Sequence, residues 1–402
     1  MAVGESYSCR TLIARAPMRL SFAGGGTDLP AYYERYGGMV VSVTIDKYVY
    51  VHCGANGEGN GHDAQITSAD YHTFYRHNSG MPMGWDGELA LPRAILHSFG
   101  VERDISLFLA AEVPPGTGLG SSSAAAVALV GGVAAYLGQS LSRQRVAELA
   151  CQVELGKLKA PIGKQDQFAA AFGGCNAIMF TSSGVTVQPV AVSSDVLSWL
   201  ERRLLLFFTG ISRDSSTILQ EQQRACAEGS VQTLQGLHRI KEAAVECKRC
   251  LEAGDLDGVG RVLDEGWREK RRLVAGITNH RIDQVYDVAM SCGAAGGKIA
   301  GAGGGGFLLL YCHENRQAEV TRAMEERGLR RMGFHFDRQG LSVTSLRWMG
   351  TEEWGVARRN GKDGAAAARE SGRVEGRTRR RTCGQGAWRP TDVAACRTRE
   401  LE

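Results

Sequence analysis

Pro114-Pro-Gly-Thr-Gly-Leu-Gly-Ser-Ser-Ser-Ala124 decides how this chain is read. Gly116, Gly118 and Gly120 permit backbone conformations that a side chain forbids. Ser121, Ser122 and Ser123 follow, then Ala124-Ala-Ala-Val-Ala-Leu-Val130, a small-residue run that predicts a helix. A glycine turn feeding a helix start aims unpaired N–H groups and the positive end of the helix dipole at one spot. That makes a phosphate seat. No Gly-Lys-Ser/Thr follows, so the reading is a nucleotide triphosphate held by an architecture other than the Walker form.

Outward from the seat, Ile105–Val113 reads as the strand leading in, with a helix near 88–99 before it. Helices are expected over about 121–137 and 142–157, then a loop at Lys159–Lys164, a helix start near Asp166, and strands through about 190. Upstream, strands flank the glycine bend Ala23-Gly-Gly-Gly-Thr-Asp28, with a helical turn near Pro30–Tyr36. From about 195 the pattern changes to a buried strand, Leu204–Phe208, and long amphipathic helices at roughly 214–226, 230–253, 255–275 and 280–292. Gly301-Ala-Gly303-Gly304-Gly-Gly306 spells the dinucleotide fingerprint, but a helix is expected before it and a strand after it, the reverse of a Rossmann turn. Close approach of backbone to a ligand or to other backbone is the better reading, with a plain tight turn as its rival.

Composition bounds the rest. With 402 residues, 43% hydrophobic and 22% charged, this is ordinary globular material sufficient for two domains. The net charge of +4 is unevenly placed: residues 358–402 hold 12 Lys/Arg against 6 Asp/Glu, and the remainder 35 against 37. The body therefore gives no electrostatic case for nucleic acid. The 11 cysteines form no framework, as expected of reduced thiols in a cytoplasmic protein. Cys247 and Cys250 lack two further ligands for zinc and read as helical thiols. No run approaches the ~18 apolar residues of a membrane span.

Phosphoryl transfer needs an oxygen ligand for Mg²⁺, a group to take or orient a hydroxyl proton, and a cation for the developing charge. Asp166 beside Lys164, Glu154 on the preceding helix, and Arg19 and Asp28 around the first glycine segment are candidates. Each has an ordinary alternative as a cap, a solvated face or a turn residue. Together with the seat they form a set.

Three segments carry a family resemblance: Arg15-Ala-Pro-Met-Arg-Leu-Ser-Phe-Ala-Gly-Gly-Gly-Thr-Asp-Leu-Pro30, Pro115–Ala124 and Lys298-Ile-Ala-Gly-Ala-Gly-Gly-Gly-Gly-Phe307. In order and spacing they resemble the three motifs of the GHMP kinase superfamily. Gly24-Gly-Gly-Thr-Asp-Leu-Pro30, Gly163-Lys-Gln-Asp-Gln-Phe168 and Thr209-Gly-Ile-Ser-Arg213 are most similar to the D-glycero-D-manno-heptose 7-phosphate kinases within it. The resemblance implies an α+β, two-domain fold. A ribosomal protein S5 domain 2-like ATP-binding domain would span 10–192 and a ferredoxin-like domain 193–350. Residues 351–402 are left as a basic tail, read as disordered.

The resemblance further implies ATP and Mg²⁺, with Pro115, Gly116, Gly118, Leu119, Gly120 and Ser121–Ser123 cradling the triphosphate. Ser122 and Glu154 would hold the metal. Asp166 would act on the attacking hydroxyl, with Arg19 or Lys164 offsetting charge. Gly25, Gly26, Thr27, Asp28, Gly303 and Gly304 would meet the sugar, and Arg213 or Lys164 a phosphate already on it. The implied reaction converts a heptose 7-phosphate to its 1,7-bisphosphate for nucleotide-heptose and surface-glycan synthesis. The alternatives are an L-fucose or other free-sugar kinase, a silent nucleotide-binding regulator, and an RNA-associated protein. A homo-oligomer is left open.

Overall fold

The computed structural model describes residues 11–56, 62–78, 80–212 and 215–346. Arg213 and the basic tail at 351–402 lie outside the described residues.

In chain order the first half runs β1 (Thr11–Ala23), α1 (Pro30–Tyr36), β2 (Gly38–Gly54), β3 (Gln65–Ser68), β4 (Thr73–Arg76), α2 (Ala90–Ser98), β5 (Ser106–Ala111), α3 (Ser121–Tyr136), α4 (Arg143–Cys151), α5 (Gln165–Phe172), β6 (Cys175–Thr181) and β7 (Gly184–Pro189). It continues with α6 (Ser194–Arg203), β8 (Leu204–Phe208), α7 (Ser216–Ala227), α8 (Val231–Ala253), α9 (Leu256–Lys270), α10 (His280–Ser291), β9 (Ala294–Ile299) and β10 (Phe307–Cys312). The chain then adds α11 (Gln317–Glu325), β11 (Arg330–Arg331), β12 (Phe336–Asp337) and β13 (Ser342–Leu346). The architecture is α+β, as the sequence predicts.

Two sheets organise these elements. The larger runs β13-β1-β2-β5-β3-β4, with β6, β7 and β12 joining through β2. The long antiparallel pair β1–β2 is its spine, in a register that sets Ala16 opposite Val49 and Arg19 opposite Thr44. Along β1, buried and partly exposed residues alternate up to Arg15, and every residue from Ala16 onward is buried. That change marks where helices cover the strand; α3, α5, α8 and α9 all pack on β1. β13 pairs only with Thr11–Arg15. Pro17, which cannot donate to a ladder, sits just beyond that pairing at a bulge against β2. Past it, the Arg19 N–H donates to the Leu119 carbonyl at 3.0 Å, so the phosphate loop takes up the edge that β13 leaves.

The small-residue run at 124–130 has a packing reason. A Cβ at Gly132 would meet Cys53 Sγ at 2.9 Å and Ala14 Cβ at 3.2 Å, so α3 lies close on β1 and β2 because its residues are small.

The smaller sheet has the order β11-β8-β10-β9, antiparallel throughout. Strand, helices, two strands, helix, strand in that order is the ferredoxin-like arrangement, with α7–α10 filling the first crossover. Leu205, Phe207, Leu308 and Leu310 of this sheet share a core with Trp267 of α9 and Tyr286 of α10.

Two sequence expectations need correction. A strand, β9, precedes the glycine run at 301–306, where a helix was expected, because Gly296 and Gly297 pair with β10. The helix α6 is not anticipated by the sequence reading; of its ten residues only Leu200 is buried. The change of character near 192–193 falls between β7 and α6. However, β12 and β13 return to the first sheet, so the last strands of the described chain belong with its beginning.

Candidate active site

Gly116, Gly118 and Gly120 have φ of 77°, 85° and 78°, in the left-handed region where a side chain is strained. The loop ends on the first turn of α3, which has no side-chain cap and no acidic residue. Its first N–H groups are left to a ligand. The β9–β10 turn backs the loop: a Cβ at Gly118 would lie 2.4 Å from the Ala300 carbonyl oxygen, and one at Gly306 would lie 2.3 Å from that of Thr117. The Phe307 N–H also donates to the Thr117 carbonyl at 3.2 Å. The third glycine segment thus serves close approach between two backbones, and a strand follows it, which removes the dinucleotide reading.

Beside this loop opens a cleft of about 350 Å³. Arg19, 4% exposed, grips the Asp166 carboxylate with two parallel bonds, Nε to Oδ1 at 2.7 Å and Nη2 to Oδ2 at 2.8 Å. Its remaining Nη1 donates to the Gly118 carbonyl at 2.6 Å. The fork is held in one geometry, as bidentate pairs are. Burial pushes the Asp166 carboxyl above its ordinary range, Arg19 pulls it back, and Asp28 adds to the rise. Asp166 therefore stands as an oriented carboxylate at the foot of the phosphate loop, no farther than a side chain's contact from Gly120.

Asp28, 2% exposed, accepts from the Gly26 N–H at 2.9 Å, from Gln165 Nε2 at 3.0 Å and from the Gln165 N–H at 3.2 Å. A Cβ at Gly163 would collide with its Oδ2, so the Gly163 in Gly-Lys-Gln-Asp makes room for this carboxylate. The sequence motif is thereby explained: one helix start carries Gln165 to Asp28 and Asp166 to Arg19.

Glu154 lies where α4 runs on into a π-helical turn, Gln152–Lys157, in which the Leu158 N–H reaches back five residues to the Val153 carbonyl. Such turns recur at functional sites because they re-aim one side chain. Ser122 Oγ donates to Glu154 Oε1 at 3.0 Å and Gln167 Nε2 to Oε2 at 2.7 Å. Burial pushes the Glu154 carboxyl up to about 7, against bonds from Gln167, Ser123 and Ser122 that favour the charged form. A buried carboxylate and a hydroxyl at the phosphate seat are hard donors. No cluster of three or more His, Cys, Asp or Glu suited to a metal occurs among the described residues. Two protein oxygens suit Mg²⁺, which keeps water and phosphate oxygens as its other ligands.

Of the other sequence candidates, Pro115, Gly25, Gly26, Gly303, Ser121 and Ser123 border the cleft. Thr27, Leu119, Gly304 and Lys164 do not. Thr27 Oγ1 is spent on the Gly24 and Met39 carbonyls, which shapes the turn. Leu119 is fully buried and contributes only its carbonyl, to Arg19. The Gly304 N–H is committed to the Ile277 carbonyl at 2.8 Å. The Lys164 ammonium rests 5.0 Å over the Tyr33 ring. The cleft's ammonium group is instead Lys270, the last residue of α9, bonded to the Gly25 carbonyl at 3.1 Å and Gln222 Oε1 at 3.4 Å. Nothing in Trp267-Arg-Glu-Lys-Arg-Arg272 distinguishes Lys270 from its charged neighbours. Gln165 and Gln167 were legible only as letters of a motif.

A glycine loop on a helix start, an oriented carboxylate and a second sheet backing the loop define a phosphotransferase site. The N-terminal domain model of the GHMP kinases matches residues 90–174, and the C-terminal model matches 247–329. The chain is 30% identical over 340 residues to D-glycero-alpha-D-manno-heptose 7-phosphate kinase of Campylobacter jejuni, covering 83% of this chain and 98% of that one. The crystal structure of a D-glycero-D-manno-heptose 1-phosphate kinase from Bacteroides thetaiotaomicron matches with a TM-score of 0.68 at 28% identity, over 84% of this chain and 99% of that one. The L-fucokinase/L-fucose-1-P guanylyltransferase of Bacteroides fragilis is 25% identical over 79% of this chain but only 36% of its own length. The chain belongs to the GHMP kinase family. It is a kinase, and the family implies ATP as its phosphate donor.

Proposed function

We propose that this kinase transfers the terminal phosphoryl group of ATP to the anomeric hydroxyl of a D-glycero-D-manno-heptose 7-phosphate, giving the 1,7-bisphosphate and ADP. The observation that carries the reading is the Arg19–Asp166 fork, standing between the phosphate loop at Gly118 and the Asp28–Gln165 pair. The likeness over nearly the whole length of a heptose 7-phosphate kinase supports the choice of sugar.

Residues 116–123 would cradle the triphosphate through backbone N–H groups. Asp166 takes the proton of the anomeric hydroxyl, or orients it, as the sugar oxygen bonds to the γ phosphorus. The bond from that phosphorus to the β–γ bridging oxygen breaks, and ADP carries the electron pair away. Arg19 fixes the direction of the Asp166 carboxylate and offsets its charge. Asp28, with two acceptor oxygens held by Gly26 and Gln165, accepts from sugar hydroxyls. Ser122 and Glu154 would hold Mg²⁺, which neutralises charge on the phosphate oxygens when bound. The protein contributes position and electrostatics, with no covalent intermediate.

The test is an ADP-release assay with ATP and Mg²⁺ over D-glycero-D-manno-heptose 7-phosphate, sedoheptulose 7-phosphate, mannose 6-phosphate, L-fucose and galactose, with phosphorus NMR of the product. Turnover confined to heptose 7-phosphate, with the new phosphate on the anomeric carbon, is expected. Equal turnover of L-fucose overturns the choice of a phosphorylated sugar. Silence on every sugar with ATP still bound favours a regulator.

A further inference from the structure

Lys270 is 8% exposed and borders the cleft, yet both partners of its ammonium are neutral. Among the described residues no carboxylate stands within ion-pair distance of it. A buried ammonium in that state carries an unpaid desolvation cost. Burial holds it down to about 8, Asp28 draws it up again, and Arg19 lowers it further. Lys298 on β9 adds to the same field; burial first, then Lys270 and Arg19, bring it to about 7. Asp166 is already paired with Arg19, and Asp28 is the carboxylate that draws both lysines up. Lys270 is thus a cation bordering the cleft that has no ion-pair partner among the described residues.

Hydrogen bonds order the cleft. From Gly118 they pass through Arg19 to Asp166, whose neighbour Gln165 holds Asp28, and from Asp28 through Gly26 to the Gly25 carbonyl and Lys270. Along this chain of bonds the phosphate loop comes first and Lys270 last, with Asp28 between. Gln222, fully buried, steadies the ammonium, and Gly26 leaves space before it: a Cβ there would lie 3.2 Å from Nζ and 2.5 Å from Gln222 Nε2.

We infer that Lys270, positioned by Gln222, binds the phosphate that the acceptor sugar already carries and so selects a phosphorylated sugar over a free one. This rests on the proposed heptose phosphate reading. The terminal phosphate is a dianion, and it supplies the anionic partner that the Lys270 ammonium lacks.

The test compares wild type, K270M and K270R with D-glycero-D-manno-heptose 7-phosphate and with the same heptose lacking its phosphate. In K270M the KM for heptose 7-phosphate should rise about 10- to 100-fold, the range for a charged hydrogen bond, with kcat changing far less. K270R, which keeps the charge, should recover part of the loss. An unchanged KM, or a fall confined to kcat, overturns the inference; the latter would put Lys270 on the transferring group. Should K270M not fold, a crystal structure of wild type with heptose 7-phosphate decides instead. A phosphate oxygen about 3 Å from Nζ is expected, and a phosphate bound elsewhere overturns it. If wild type prefers heptose 7-phosphate while K270M keeps that preference, Lys270 alone is refuted. If wild type itself shows no preference for the phosphorylated sugar, the reading of the substrate falls and takes the inference with it.

Discussion

Asp166 and Arg19 are 147 residues apart in the chain, and their two short bonds make the most constrained polar pair at the cleft. Replacing Asp166 with Asn keeps the shape and removes the proton acceptor, so kcat should fall roughly 10²–10⁴-fold with ATP affinity nearly intact, as read by ADP release and an ATP titration. Turnover within a few-fold of wild type would remove Asp166 from the chemistry. Lys270 has a second consequence, in stability. Its folded-state value of about 8 lies below the ordinary 10.5, so the folded protein sheds this proton more readily than the unfolded chain does. The stability conferred is present above pH 10.5 and is lost as the pH falls through 8. Without ligand, the melting temperature of wild type relative to K270M should therefore drop between pH 10.5 and 8, by differential scanning fluorimetry. Asp28, Arg19 and Lys298 face the same ammonium and set the size of the drop. A difference that stays flat with pH would mean that Lys270 does not hold a displaced proton. The candidates Arg19, Asp28, Glu154 and Asp166 were legible by residue type and motif. Lys270 was not, because a lysine in a charged helix end shows its burial only when the helix is packed.

The phosphate loop shows how much an element can owe to its glycines. Gly118 needs glycine twice, for a φ of 85° and for the Ala300 carbonyl 2.4 Å from where a Cβ would stand. Gly118→Ala should cost about 2–4 kcal/mol and raise the KM for ATP at least about tenfold, since the loop must move off the β9–β10 turn. Gly138 is the control: its φ is 73° and nothing lies within 4 Å of its missing Cβ. Gly138→Ala should cost only about 1–2 kcal/mol of backbone strain and leave ATP binding unchanged. Equal effects on ATP at the two positions would mean that strain alone matters and that the contact between the two turns does not. Thermal melts and ATP titrations separate the outcomes. The left-handed glycines could be anticipated from spacing, whereas the partner of Gly118 could not, because Ala300 is remote in sequence. The π-helical turn at Glu154 was likewise invisible, since Gln152–Lys157 has the composition of an ordinary helix.

At the scale of the molecule the chain closes on itself. β13 pairs residue for residue with Thr11–Arg15 and covers that edge of the spine strand. A chain ending after Met349 keeps every described strand and serves as the reference. One ending at Leu341 should melt several degrees lower, because β1 loses a neighbour along five residues and exposes an edge. Equal melting temperatures for the two would show that β13 is dispensable to the sheet. The sequence by itself determined most of the elements, α6, β9 and the π-helical turn excepted, and the class of chemistry. Hydrophobic period, glycine punctuation and a helix start after a glycine loop are local, and local physics reads them. Only the tertiary structure decided which charges meet. It brought Arg19 to Asp166, turned Lys164 onto Tyr33 and carried Lys270 into the cleft. Burial and partners depend on residues 48 to 245 positions away, and no local pattern encodes them.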